Sequence, residues 1–256
     1  MSASNSAAQP TVVAIIPARY ASSRFPGKPL AKIAGVTMIE RVYKQTEKAR
    51  NVSRVLVATD DERIRAAVAS FGGQWVMTGE HHPTGTDRLA EAAASYGDDD
   101  IIVNVQGDEP LIDPMAIEAL VEPLITDPSV EMSTTAFCIS DRAEAENPQL
   151  VKVVVDRSGF AMYFSRQPIP FYRSDSNQEK RQYLGHMGLY GYTKRCLLRL
   201  ASLKPTPLEQ AEMLEQLRAL ENGIKIKVVQ FETRSQAVDI PEDIAKVEKA
   251  LHLLRV

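Results

Sequence analysis

Cysteine is scarce in this 256-residue chain, with only Cys138 and Cys196. Two thiols cannot staple a disulfide framework. Without a CxxC pair or a Cys/His zinc spacing, they also exclude a zinc ribbon or finger. Two buried thiols in a reducing compartment are expected. A surplus of positive charge is missing too, since 30 Lys+Arg stand against 33 Asp+Glu for a net charge of −3. A chain whose main task is gripping nucleic acid needs a basic surface, so no nucleic-acid partner is expected. Only local Arg and Lys clusters are left to handle a small anion. No apolar run approaches the roughly 20 residues of a membrane span. The opening MSASNSAAQP has neither the basic nor the apolar segment of a signal peptide. There is no internal repeat and no low-complexity linker. The expectation is a soluble, cytoplasmic protein with no membrane partner.

What the chain does have is an ordinary globular balance, 44% hydrophobic and 25% charged, with length enough for a sizeable core. Short β-branched runs alternate with helical periodicities through the first half. TVVAIIP (11–17), RVLVATD (54–60), Gln74 to Met77 and Ile101 to Val105 read as strands. Helices are expected around Met38 to Tyr43, around Ile64 to Phe71 with an exit at Gly72, over Asp87 to Tyr96, and after Asp113-Pro114, where cap and N1 proline take their favoured places. That rhythm predicts an α/β fold with a doubly wound, mainly parallel sheet. From about residue 130 it changes. Strands are expected at 131–139, 151–156 and 160–165, followed by an exposed loop from Arg173 to Gln182, a helix from Pro207 to Glu221, a strand at IKIKVVQF and a closing helix from Pro241 to Leu254. Residues 1–10 read as a tail, and 11–256 as a single domain carrying a β-rich insertion at about 131–206.

The chemistry-bearing residues cluster after strands. Arg19, Arg24 and Lys28 lie in PARYASSRFPGKPL, directly after the first strand, where ligands of an open parallel sheet bind. Three cations on a Gly/Pro-shaped loop suit a polyphosphate, although a solvated basic loop is the competing reading. A Walker A loop is excluded, because Ser22 and Pro29 stand where Gly and Ser/Thr are required. VNVQGDEP (103–110) ends the most apolar strand with Asp108 at the same sheet edge. Asp108 suits Mg²⁺, which takes one or two carboxylates and completes its shell with water and phosphate. Asp239 in AVDIPEDI is either a second ligand or an acid favourably placed near a helix start. In HHPTGTDRLAE, Gly85 enters a helix whose first turn carries Arg88. A backbone slot at Thr84–Gly85 could read a base edge, or Thr86 could be a helix cap. Further on, Arg166 in YFSR stands with the polar and aromatic groups of HMGLYGY (186–192), a set suited to orienting a polyhydroxylated carboxylate. Glu209, Glu212 and Gln216 fall three and four residues apart on the expected 207–221 helix, sharing one face, by default a solvated one.

Taken in order, PARYASSRFPGKPL, VATDDE, TGTDRLAE, VNVQGDEP, YFSR, GHMGLYGY, LEQAEMLEQLR and VDIPED closely resemble the 3-deoxy-manno-octulosonate cytidylyltransferases, the CMP-Kdo synthetases. The resemblance implies a nucleotidyltransferase fold of the nucleotide-sugar type, a homodimer formed through the β-rich portion, and Mg²⁺ dependence. It implies transfer of CMP from CTP to the sugar acid Kdo, serving lipopolysaccharide assembly. Residue by residue, it implies that Arg19 and Lys28 hold the CTP phosphates with Arg24 assisting. Asp108 and Asp239 bind Mg²⁺, Gly85 and Arg88 lie by the nucleotide, and Gln106, Arg166, His186, Tyr190, Glu212 and Gln216 surround the sugar acid. One departure is Gly185, which stands where the family often carries a basic residue. Transfer to a related sugar acid (sialic acid, amino-Kdo) and non-catalytic nucleotide binding are the alternatives at this point.

Overall fold

A computed structural model of the chain describes residues 10–21, 25–173 and 182–253. The expected tail, apart from Pro10, falls outside these residues, as do Arg24 and most of the Arg173–Gln182 stretch.

Among the described residues a nine-stranded sheet runs through the molecule. Strand β1 (Val12–Ala18) lies between two parallel neighbours, β4 (Arg54–Thr59) and β6 (Ile101–Asn104), and β4 pairs in parallel with β5 (Trp75–Met77). A two-residue ladder, β2 (Lys32–Ile33) with β3 (Val36–Thr37), stands apart from it. The connections between the parallel strands are helical: α1 (Met38–Thr46), α2 (Glu62–Ser70), α3 (Gly85–Ala92) and, after β6, α4 (Pro114–Thr126).

Because side chains alternate across a strand, β1 feeds two cores. Val12, Ala14 and Ile16 meet Ile39 and Val42 of α1, Ile64 and Val68 of α2, and Ile117 and Leu120 of α4. Val13 and Ile15 face the opposite layer with Leu89 of α3. Helices on both faces of a mainly parallel sheet make the α/β, doubly wound architecture that the alternation predicts.

The β-rich portion extends this same sheet. Strands β7 (Met132–Ile139), β8 (Lys152–Val155) and β9 (Ala161–Ser165) match the expected three; a short helix, α5 (Arg142–Glu146), separates the first two. Of the two thiols expected to be buried, only Cys196 is; Cys138, on β7, is exposed. The strand missing from the expectation is β10 (Tyr183–Thr193). At 11 residues it joins the halves, antiparallel to β6, β7 and β8. Glycine inside a strand weakens its signature and marks a bulge or a close approach. Here the register shifts between Met187 and Tyr190, around Gly188.

Then come α6 (Lys194–Ser202), α7 (Pro207–Glu212), α8 (Gln216–Glu221), β11 (Lys227–Gln230), parallel to β7, and α9 (Asp243–Leu253). The single helix expected from Pro207 to Glu221 is therefore two. Met213 between them is left-handed, with φ 54° and ψ 50°. The break has a tertiary cause. Glu209 accepts from Arg218 Nε at 2.8 Å, and Leu214 goes under cover. Nine residues of continuous helix would separate Glu209 from Arg218 by about 13 Å along the axis.

Candidate active site

The carboxyl ends of β1 and β6 lie side by side, and their loops form the floor of the site. Gly107 sits where a Cβ would come 3.0 Å from the Pro17 carbonyl oxygen, so a side chain there would push the loop after β6 away from β1 by a few tenths of an ångström. That approach sets Asp108 opposite the β1 loop. Lys28 Nζ donates to Asp108 Oδ2 at 2.7 Å and to the Val238 carbonyl at 3.1 Å, spanning 80 and 210 positions of sequence. Val238 N in turn donates to the Asp108 carbonyl at 2.9 Å. The segment carrying Asp239 is thus pinned beside Asp108 by its neighbour's backbone. Arg19 leaves the end of β1 half-buried.

The donor set suits a hard divalent cation. Asp108 and Asp239 would supply carboxylate oxygen to such an ion; among the described residues no cluster of three or more His, Cys, Asp or Glu forms a dedicated cage. Two carboxylates with the remaining positions left to phosphate and water is the Mg²⁺ pattern. Glu109 turns inward instead. Burial, reinforced by the neighbouring Asp108 charge, raises its pKa to about 7.

Gly85 is the first residue of α3. Its cap is Thr84, not Thr86: Thr84 Oγ1 accepts from Asp87 N at 3.2 Å, and Asp87 Oδ2 accepts from Thr84 N at 3.1 Å, a reciprocal capping box. Arg88 is fully buried, and its guanidinium turns away from the surface. Nη2 donates to Asp60 Oδ2 at 2.6 Å and Nη1 to Thr78 Oγ1 at 2.5 Å, tying α3 to the ends of β4 and β5.

Two polar cavities open beside this floor. The smaller, about 200 Å³, is lined by Pro17, Gly85, Asn104, Gln106, Tyr190 and Gln216, with Glu215 among them. Among the described residues Asn104 Oδ1 and Glu215 Oε1 are buried without a hydrogen-bond partner, while the Glu215 carboxylate also bonds Thr86, so the wall of this cavity holds acceptors that a ligand's donors can satisfy. Burial raises the pKa of Glu215 and moves that of Tyr190 well above the usual phenol value. The larger cavity, about 630 Å³, has Asn147, Gln149, His186, Gly188, Arg234 and Asp239 in its wall. The two adjoin where Gln106 Nε2 donates to the Gly188 carbonyl at 2.8 Å.

His186 lies between the rings of Phe164 and Tyr190, at centroid distances of 5.0 and 5.4 Å. Its Nε2 is 2.9 Å from Thr134 Oγ1, and burial depresses its pKa to about 3. The imidazole is neutral at physiological pH, so it hydrogen-bonds rather than supplying positive charge.

Arg166 and Glu212 are brought together, although the Glu212 carboxylate is taken up internally. Its Oε1 accepts from Ser165 Oγ at 2.6 Å and its Oε2 from Arg166 N at 2.9 Å. The Arg166 side chain donates to the carbonyls of Glu212, at 2.8 Å, and Pro148, at 3.1 Å. The helix break explains this arrangement. Glu212 faces β9, and Glu215 with Gln216 reaches the cavity, so the shared face expected for Glu209, Glu212 and Gln216 does not exist. Glu215 and Asn104 are site residues absent from the sequence-based expectation; Glu215 lies in the LEQLR motif, but nothing local signals the turn at Met213. Gly185 has an equally physical explanation. A Cβ there would lie 2.7 Å from the Phe137 ring, which occupies the space of any longer side chain.

The family model described as cytidylyltransferase matches residues 13–226. The 3-deoxy-manno-octulosonate cytidylyltransferase of Syntrophotalea carbinolica is 54% identical, with 94% of this chain and 98% of that one covered. That of Geobacter metallireducens is 51% identical, over 96% and 99%. Among solved structures, CMP:2-keto-3-deoxy-manno-octonic acid synthetase complexed with CTP superposes with a TM-score of 0.89 at 43% identity, covering 96% of this chain and all of that one. The 4-diphosphocytidyl-2C-methyl-D-erythritol synthase of Anaerococcus prevotii shares the fold, with a TM-score of 0.62 at 15% identity over 95% and 97%.

Proposed function

The chain belongs to the cytidylyltransferase family and, within it, to the 3-deoxy-manno-octulosonate cytidylyltransferases, and from that premise we propose which side chains carry the reaction. The enzyme transfers CMP from CTP to Kdo and releases pyrophosphate. The anomeric hydroxyl attacks the α-phosphorus, and the bond to pyrophosphate breaks.

The obstacle is electrostatic. A triphosphate and a sugar carboxylate must meet, and two unit charges 4 Å apart repel by about 4 kcal/mol at an effective dielectric of 20. Lys28 and Arg19, with Arg24 beside them in sequence, hold the phosphates. Lys28 stabilises the charge that grows on the leaving pyrophosphate. Without substrate, Lys28 and Asp108 neutralise each other; the triphosphate draws off the ammonium and frees the carboxylate. Asp108 and Asp239 would then hold Mg²⁺, which when bound lowers the attacking hydroxyl's pKa and screens the phosphates.

Gly85, at the start of α3, lets the nucleotide approach the backbone, and Arg88 holds that helix against β4. The sugar acid enters where the two cavities adjoin. Its hydroxyls meet Gln106, Tyr190, Gln216, Asn104 and Glu215, with neutral His186 in the adjoining wall. Arg166 contributes positive charge at the end of β9, held there by Glu212. The observation that carries this reading is the Lys28–Asp108 pair beside the Asp239 segment, three distant pieces of chain joined at one sheet edge. A homodimer through the β-rich portion belongs to the same reading. It is supported by two exposed apolar side chains of that portion: Met162, 64% exposed, on β9, whose other edge is unpaired among the described strands, and Phe171, 87% exposed, beyond its end. So do a cytoplasmic location and a product used in lipopolysaccharide assembly.

The direct test is pyrophosphate release from MgCTP over a panel of Kdo, amino-Kdo and sialic acid. Kdo is expected to give the highest kcat/KM; a preference for another acid would overturn the sugar assignment.

A further inference from the structure

Lys152 is fully buried, although lysine is almost never found so without a carboxylate partner. All three of its donors are taken by main-chain carbonyls: Asn147 O at 3.0 Å, Leu150 O at 2.7 Å and Arg166 O at 2.5 Å. Burial pulls its pKa below the ordinary lysine value. An ammonium removed from water at that cost ties together the two open ends of the β8–β9 hairpin, beyond the ladder that pairs Lys152 with Ser165. One is the stretch from Asn147 to Leu150, whose residues 147, 149 and 150 line the larger cavity together with His186 and Asp239. The other is the end of β9, where Arg166 begins. The two are bound again by the Arg166 side chain, which donates to Pro148 O.

We propose that Lys152 is a positioning residue for the sugar acid: its buried ammonium sets both the Asn147–Leu150 rim of the larger cavity and the main chain that carries Arg166. Lys152 touches no substrate. It acts by holding the carbonyls that fix the rim and the guanidinium. The inference rests on the reading that the sugar acid binds where the two cavities adjoin, against this rim, with Arg166 beside it as a source of positive charge. The nucleotide clamp at Lys28 and Asp108 lies on other loops and makes no use of it.

The experiment measures pyrophosphate release by the full chain with Mg²⁺, varying Kdo at saturating CTP and then CTP at saturating Kdo. The variants are Lys152→Met, Arg166→Met and their combination. Lys152→Met is expected to raise the KM for Kdo at least about tenfold, the scale on which misplaced binding groups act. The KM for CTP should stay within about twofold, and the double variant should lose less than the product of the single losses. An unchanged KM for Kdo, or equal rises for both substrates, overturns the proposal. If Arg166→Met raises the KM for Kdo and Lys152→Met does not, Lys152 alone is refuted. If Arg166→Met has no effect and Lys152→Met does, the role of Arg166 falls while the rim assignment stands. Should Lys152→Met fail to fold, Pro148→Gly, exposed and with the ammonium left in place, takes over: a raised KM for Kdo alone supports the rim, and no change refutes it.

Discussion

Lys28 and Asp108 illustrate how one contact serves two states. At 2.7 Å and only partly exposed, the pair keeps two opposite charges satisfied until a triphosphate takes the cation. Lys28→Ala and Asp108→Asn are each expected to lower kcat/KM at least about a hundredfold, the cost of removing one charge-stabilising group. Circular dichroism melts should show the fold intact, since both groups lie at a loop-lined site. Near-normal pyrophosphate release by either variant removes that residue from the mechanism. His186 makes a different prediction. Its folded pKa of about 3 lies below the ordinary 6.5. Between those values the unfolded chain binds a proton that the folded chain refuses, so acidification favours unfolding. The cost at pH 5 is about 2 kcal/mol. His186→Gln should therefore show a smaller drop in Tm between pH 7 and pH 5; an unchanged drop would mean that the imidazole is not held neutral.

At the scale of elements, the α7–α8 break decides which acids face the ligand. Met213 adopts a left-handed conformation that costs a non-glycine residue roughly 1 kcal/mol, and its side chain is 77% exposed, so it contributes little packing. Met213→Gly is expected to raise stability in chemical denaturation by up to about 0.5 kcal/mol, net of glycine's greater entropy in the unfolded chain. A loss of stability would show that the Met213 side chain matters to the turn. The same scale accounts for β10. A strand broken by a bulge and holding Gly185 and Gly188 lacks the alternation that reveals β7 and β8, yet it bridges the parallel and antiparallel halves. Gly185 is required by Phe137 on the neighbouring strand, a reason that is invisible until the two strands are paired.

For the molecule as a whole, binding and assembly should be readable in stability. MgCTP at a hundred times its Kd should stabilise the fold by about 2.7 kcal/mol. In a chain of this size that corresponds to a rise in Tm of about 5–10 °C. EDTA should remove most of the rise, and Lys28→Ala should blunt it. A rise undiminished by EDTA would argue against a metal held by Asp108 and Asp239. Phe171→Arg is expected to convert a dimer to a monomer in sedimentation velocity; a monomeric parent chain would end the dimer reading.

How far the sequence reaches follows from what is local. Strand β1, the alternation of β4, α2 and β5, the Asp113-Pro114 start of α4 and the clustering of Arg19, Lys28 and Asp108 after strands are all written in short windows, because periodicity, capping and strand ends depend on near neighbours. Ordered motifs along the chain also carried the family. Tertiary structure alone decided that Glu215, rather than Glu212, faces the cavity, that Arg88 turns inward to Asp60, and that Lys152 is sealed among three carbonyls. Each of these depends on which segments, tens or hundreds of residues apart, come to share one space. A side chain's partner there is chosen by packing and desolvation, which no stretch of sequence contains.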